Sequence, residues 1–160
     1  MPSRRERFSA LRKNTEEETD SLDSEVLNVK GINLARKGYY LEALLCFQKA
    51  VNLNPNNAHA WYNYGTSLTK IGKYDETTLL CFEKAVELNP TDPEAWNNKG
   101  AILTHLGRLK EAMICCQRAT ELMPGHARAW ENMGVLYNRE GNKKAAKECF
   151  KRAARAGLKS

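Results

Sequence analysis

The side chains best suited to chemistry in this chain recur at a fixed interval. Cys46, Cys81, Cys115 and Cys149 stand 35, 34 and 34 residues apart, and a fifth cysteine, Cys116, adjoins the third. Thiols can hold zinc or form disulfides, and each task sets a geometric condition. Zinc needs all its ligands to converge on one point, and a disulfide needs Cα atoms within about 7 Å. Cysteines spread one per packed helix pair, with pairs about 9–10 Å apart, meet neither condition. No CxxC occurs, so free, semi-buried thiols in a reducing compartment are expected. Cys115 and Cys116, adjacent on a helix, are expected to point two ways. His59, His105 and His126 have no cysteine or carboxylate four residues on, which removes the usual helical metal pair and a supported base. No GxxxxGK[ST], GxSxG or HExxH string is present, and those are the strings that cradle phosphate, present a nucleophile or bind zinc. Glu16, Glu17 and Glu18 lie in a polar tail with nothing to desolvate them. An enzyme is not expected, nor is a metal or cofactor.

Two further sets of side chains suit binding. Lys143, Lys147, Lys151 and Arg155 are spaced by four and form one stripe on a helix. From 127 onward the chain holds nine basic and three acidic residues, an excess equal to the net charge of +6. Such a stripe suits an acidic partner or nucleic acid, or keeps a terminal helix polar on its outer face. No aromatic residue interleaves it to stack on bases, which counts against nucleic acid. The second set is Asn63, Asn98 and Asn132, again about one repeat apart. An amide both donates to and accepts from an extended peptide backbone.

The elements that must position these groups follow from the composition and the period. With 160 residues, 42% hydrophobic and 28% charged, the chain has the make-up of a folded domain. No apolar run approaches the roughly 18 residues of a membrane span, and no apolar stretch of signal-peptide type follows the basic start. A cytoplasmic location without membrane association is expected. Glycines at 31, 65, 100 and 134 are each followed by a second glycine at 38, 72, 107 and 141. Trp61, Trp96 and Trp130 keep the same beat, with Leu27 in the first slot. So do Ala50, Ala85, Ala119 and Ala153, and Pro55, Pro90 and Pro124. The chain therefore reads as four copies, at 24–57, 58–92, 93–126 and 127–160, behind a tail at 1–23 that is expected to be disordered.

Within a copy the apolar spacing is helical. Trp96, Gly100 and Leu103 make one stripe, Gly107 breaks it, and Ala112, Cys116 and Ala119 make a second. Asp92, followed by Pro93, is a helix cap, and Asp23 and Asn57 occupy the same slot. Each copy is thus a helix–turn–helix hairpin, and the mid-helix glycines imply close approach of the partner helix. Phe47, Phe82 and Phe150 are expected to fill the space between the two. The second copy has one residue too many between Gly72 and Thr78; the turn, or a bulge at the start of the helix, should absorb it.

The pattern W-x2-[LY]-G-x2-Y, then A-x3-F, then P resembles the tetratricopeptide repeat. It is carried by Trp61, Tyr64, Gly65, Tyr74, Phe82, Ala85 and Pro90 in the second copy, and by Trp130, Gly134, Tyr137, Ala146, Phe150 and Ala153 in the fourth. The first copy lacks the tryptophan, and the third has Lys99 and Cys116 where a leucine and an aromatic are usual. The resemblance implies an all-α fold, a right-handed αα-superhelix of four hairpins. Its first helices would line a concave groove for partner proteins, making the chain a scaffold that binds an extended peptide segment. The family's geometry places Asn63, Asn98 and Asn132 in that groove, free of any core role, with Val29 in the first copy. Tyr62, Thr66, Asn97, Thr69 and Thr104 lie around them, and Arg36, Lys70, His105 and Arg139 along one rim. Those bases would favour a partner with acidic stretches. A chaperone-tail clamp needs a lysine–asparagine pair on one first helix. The matching positions, Asn28 and Ile32 or Tyr62 and Thr66, do not supply it. Without an extra capping helix, Ala153, Ala154, Ala156 and Leu158 are expected to be partly exposed, and homo-oligomerisation through that end is an option.

Overall fold

The computed structural model describes residues 23–157. Among them all regular structure is helical: α1 over 23–36, α2 (Tyr40–Leu53), α3 (Ala58–Lys70), α4 (Glu76–Leu88), α5 (Pro93–His105), α6 (Leu109–Leu122), α7 (Ala127–Arg139) and α8 (Lys143–Gly157). Odd helices open each hairpin and even helices close it. The expectations for the tail and for Leu158 lie outside the described residues.

Each hairpin turns at a glycine whose φ is positive: +85° at Gly38, +81° at Gly72, +77° at Gly107 and +78° at Gly141. The N–H that follows reaches back to a carbonyl near the end of the helix, as from Tyr39 to Leu34 (3.0 Å) and from Asn142 to Tyr137 (2.9 Å). This closure needs a left-handed residue, which costs an L side chain about 1–2 kcal/mol. At the next helix start, Asn57, Asp92 and His126 accept the N–H of Ala60, Ala95 and Ala129. Asp23 does not belong to this set. It is already helical, whereas a cap has non-helical backbone.

The extra residue of the second copy is taken up by the turn. One residue separates Gly38, Gly107 and Gly141 from the following helix, but three separate Gly72 from Glu76, and α4 is one residue shorter than α2 and α6. Thr78 holds the slot of Ala43 and Ala112, and its hydroxyl donates to the carbonyl of Lys73, pinning the longer turn at 3.2 Å. Asp75 caps α4 by accepting the N–H of Thr78 at 3.0 Å.

Packing within a hairpin depends on the mid-helix glycines. A Cβ on Gly31, Gly65 or Gly134 would fall 2.6, 2.9 or 2.6 Å from the ring of Phe47, Phe82 or Phe150. In the third hairpin Cys116 replaces the phenylalanine, and the helices are close enough that the same Cβ would meet its Sγ at 2.8 Å and the carbonyl of Ala112 at 3.2 Å. Cys115 and Cys116 are both buried, in a helix packed by α5 and by α7. Ala153, expected to be partly exposed, is buried, whereas Ala154 is exposed.

Packing between hairpins repeats as well. Ala50 and Val51 meet Ala60, and Ala85 and Val86 meet Ala95, with Trp61 and Trp96 against them. Each indole N–H donates to the carbonyl of the loop proline six residues earlier: Trp61 to Pro55 (2.8 Å), Trp96 to Pro90 (2.9 Å) and Trp130 to Pro124 (2.8 Å). The tryptophan and proline columns are thus the two ends of one bond.

Two outcomes follow for stability. Gly100→Ala gains helix propensity but forces α5 from α6, so it should destabilise by about 1–3 kcal/mol, read as a lower midpoint in denaturant. The Asp75 carboxyl is held below its usual value, chiefly by the Thr78 N–H. A depressed folded pKa stabilises above the unfolded pKa and ceases to do so as pH falls through the folded one. The melting-temperature gap between wild type and Asp75→Ala should therefore be present at neutral pH and shrink as pH drops below about 4.

Candidate protein-binding groove

The first helices bring Glu25, Asn28 and Ile32 of α1 beside His59, Tyr62 and Asn63 of α3 and beside Asp92 and Glu94 at the start of α5. Together they line an open cavity of about 510 Å³. A second cavity of about 230 Å³ adjoins it, lined by Arg36, Thr66, Ser67 and Lys70 among others. Ile32 and Asn63 line both, so the two are lobes of one groove.

The three asparagines are the main correction to the expected site. Asn63 donates from Nδ2 to Asn28 Oδ1 at 2.9 Å, Asn98 to the Tyr62 hydroxyl at 3.3 Å, and Asn132 to Asn97 Oδ1 at 2.8 Å. Every donor sits two residues after its copy's tryptophan slot. Every acceptor sits one residue after that slot in the preceding copy. The amides therefore brace successive hairpins, and Asn63 also lines both lobes of the groove. They are half-buried, and each keeps a second N–H beyond the one these bonds use. Asn97, expected on the groove surface, is 3% exposed and lies beneath Asn132.

The neighbouring groups divide in the same way. Tyr62 packs edge-on to Phe82, with ring centroids 6.1 Å apart. Burial, and after it the charge of Glu94, pushes its phenol above the usual value, against the opposing hydrogen bond from Asn98. The hydroxyls of Thr69 and Thr104 donate to carbonyls of their own helices. Thr66, Arg36 and Lys70 line the second lobe. Arg139 reaches back to the carbonyl of Thr104 at 3.3 Å. His105 stacks on Tyr74 of the turn before α4, with ring centroids 4.3 Å apart.

Glu25, His59, Asp92 and Glu94 were not foreseen in the groove. For the two glutamates and the histidine a signal existed. Glu25, Asn28, Val29 and Ile32 fall at i, i+3, i+4 and i+7, so they share a helix face with the ladder. His126 is 4% exposed; its Nδ1 accepts the Ala129 N–H, which leaves the proton on Nε2, 3.2 Å from Glu94 Oε1.

The remaining candidates lie outside the groove. Lys143, Lys147, Lys151 and Arg155 are all exposed on α8, none lines either lobe, and none has a carboxylate within 4.0 Å among the described residues. Arg152, between them, is tied to Glu148 at 3.3 Å and lies over the Trp130 ring. The cysteines are unbridged and buried. Desolvation raises the thiols of Cys81 and Cys116 to about 12 and that of Cys115 to about 11, far from the thiolate state a nucleophile needs. No described helix is long and apolar enough to cross a membrane.

Residues 37–156 match the family described as the cilia and flagella-associated protein 70 middle TPR-like domain. The chain belongs to this TPR-like family. The solved structure of MamA from Desulfovibrio magneticus RS-1 is similar, with a TM-score of 0.77, 27% identity, and coverage of 96% of this chain and 92% of that one. The first TPR domain of Spaghetti (RPAP3), solved bound to the HSP90 peptide SRMEEVD, gives a TM-score of 0.72 at 26% identity, covering 76% of this chain and 95% of that one. An uncharacterized protein of Methanocaldococcus jannaschii, MJ0572, is 40% identical over 47 residues. That stretch is 29% of this chain, and the chain spans about half the length of that relative, 55%. The TPR repeats thus form an α-solenoid of the kind used as a protein-interaction scaffold.

The brace has a measurable consequence. Replacing Asn63, Asn98 and Asn132 together by alanine removes three inter-hairpin bonds at about 0.5–1.5 kcal/mol each, so the triple variant should melt several degrees below wild type. An unchanged melting temperature would show that these bonds do not hold the hairpins together.

Proposed function

We propose that the chain is a non-enzymatic scaffold whose concave groove holds an extended segment of a partner protein. The observation that carries this is Asn63. It lines both lobes of the groove yet gives only one N–H to Asn28, so the rest of its amide is available to a peptide backbone. Asn98 and Asn132, half-buried in the same slot, would extend the contact, with Tyr62, Thr66, Lys70 and Arg139 beside them. Unbridged thiols suit a cytoplasmic setting.

The likeness to the RPAP3 domain does not extend to an HSP90 tail. Asn28 and Ile32 stand where a clamp begins, without its lysine, and Glu94 presents a carboxylate to the groove. The stripe on α8, without ion pairs among the described residues, supports a second reading: an acidic partner or nucleic acid held by Lys143, Lys147, Lys151 and Arg155. Phe150, 38% exposed where Phe47 and Phe82 are covered by the next hairpin, supports packing of a second copy at that end.

A photo-crosslinking residue placed at Thr66, and separately at Lys147, distinguishes these. Groove binding gives a peptide adduct at Thr66 and none at Lys147. Adducts only at Lys147, or nucleic-acid adducts there, would favour the second reading. With the partner isolated, Asn63→Ala should weaken it by roughly 2–10-fold.

A further inference from the structure

Charges in the groove are sorted by sign and have no lysine–carboxylate or arginine–carboxylate pairing among the described residues, unlike the glutamates of α4, α6 and α8. On α4, α6 and α8, Glu76, Glu83, Glu87, Glu111, Glu121 and Glu148 each lie within 4.0 Å of a lysine or arginine nitrogen. Glu25, Asp92 and Glu94 share one lobe of the groove, and none has a lysine or arginine that close among the described residues. Glu25 accepts from the Asn57 amide, Asp92 caps α5, and Glu94 faces His126. Arg36 and Lys70 share the other lobe, again without a carboxylate partner among the described residues. Ile32 joins the lobes with an apolar floor. The phenol of Tyr62, raised chiefly by burial, is raised further by the charges of Glu94 and Asp92.

The distance between the poles sets a length. Glu25 and Arg36 are eleven residues apart on α1, about 16 Å along its axis. An extended peptide covers that span in about five residues.

We propose that the groove selects an extended segment of mixed charge: a lysine or arginine in the lobe of Glu25, Asp92 and Glu94, an aspartate or glutamate about five residues away at Arg36 and Lys70, and an apolar side chain between them over Ile32. The proposal rests on the groove-binding reading and narrows it. A uniformly acidic segment would set its carboxylates against three carboxylates that no lysine or arginine neutralises among the described residues, and like charges brought together oppose binding.

Panning a display library of random dodecapeptides against the full chain tests this, with affinities then measured by fluorescence anisotropy. Enriched peptides should carry opposite charges about five positions apart. The double variant Glu25→Lys/Glu94→Lys should weaken them by roughly tenfold or more, and exchanging the peptide's lysine for glutamate should restore binding to that variant. Arg36→Glu/Lys70→Glu, at two exposed positions, should give the mirrored result; circular dichroism checks that both variants fold. Peptides without the charge pattern, or bound equally by both variants, would overturn the mixed-charge proposal while leaving groove binding intact, provided Thr66→Arg abolishes them. Peptides indifferent to Thr66→Arg, or a library that yields no binder, would overturn the groove reading and the proposal with it.

Discussion

The two helices of each hairpin approach so closely that only glycine fits at the crossing, and the rest of the structure is built on that contact. Gly31, Gly65 and Gly134 each receive the ring of a facing phenylalanine, and Gly100 receives a thiol and a backbone carbonyl instead. A mid-helix glycine costs roughly 1 kcal/mol relative to alanine, and the chain bears that cost four times. In return each hairpin becomes a thin, flat unit with apolar residues on both broad faces. Such a unit cannot hide those faces alone, so stacking is its only stable arrangement.

Stacking by apolar contact alone would leave successive hairpins free to slide. Two directional bonds per junction remove that freedom. One runs from an indole to the carbonyl of a loop proline, and the other from an asparagine amide to a polar group of the preceding first helix. The second kind joins successive first helices, and its Asn63–Asn28 member lies at the wall of the groove. Asn63, which lines both lobes, is thus a structural brace at the wall of the proposed groove.

The hairpins, their turns and most of their caps were legible in the residues because each rests on a local rule: a glycine where φ must be positive, a short polar side chain where a helix begins. The register of tryptophans, glycines and prolines was legible because it repeats. What could not be read was which column meets which. Trp96 and Pro90 were seen as separate columns, not as donor and acceptor, and Asn132 was seen without Asn97 beneath it. The acidic lobe escaped for another reason. Its slot holds Glu25, His59, Glu94 and Arg128 in the four copies, so a search for repeated residue types finds no column there. Charge that varies from copy to copy is invisible to periodicity, yet it is what makes the two lobes of the groove chemically different.

The junction bonds have a direction. Trp61, Trp96 and Trp130, and the three asparagines, each reach backward to the hairpin before their own. The first hairpin, with Leu27 and Val29 in those slots, carries no such grip. The solenoid is thus polar in the manner of a zip fastener, in which each tooth holds only its predecessor. A middle unit such as 58–92 contains both its own hook and the eye for the next, so it is an interchangeable part. Duplicating it would lengthen the array and its groove without designing a new joint, whereas duplicating the first hairpin would insert a tooth that grips nothing.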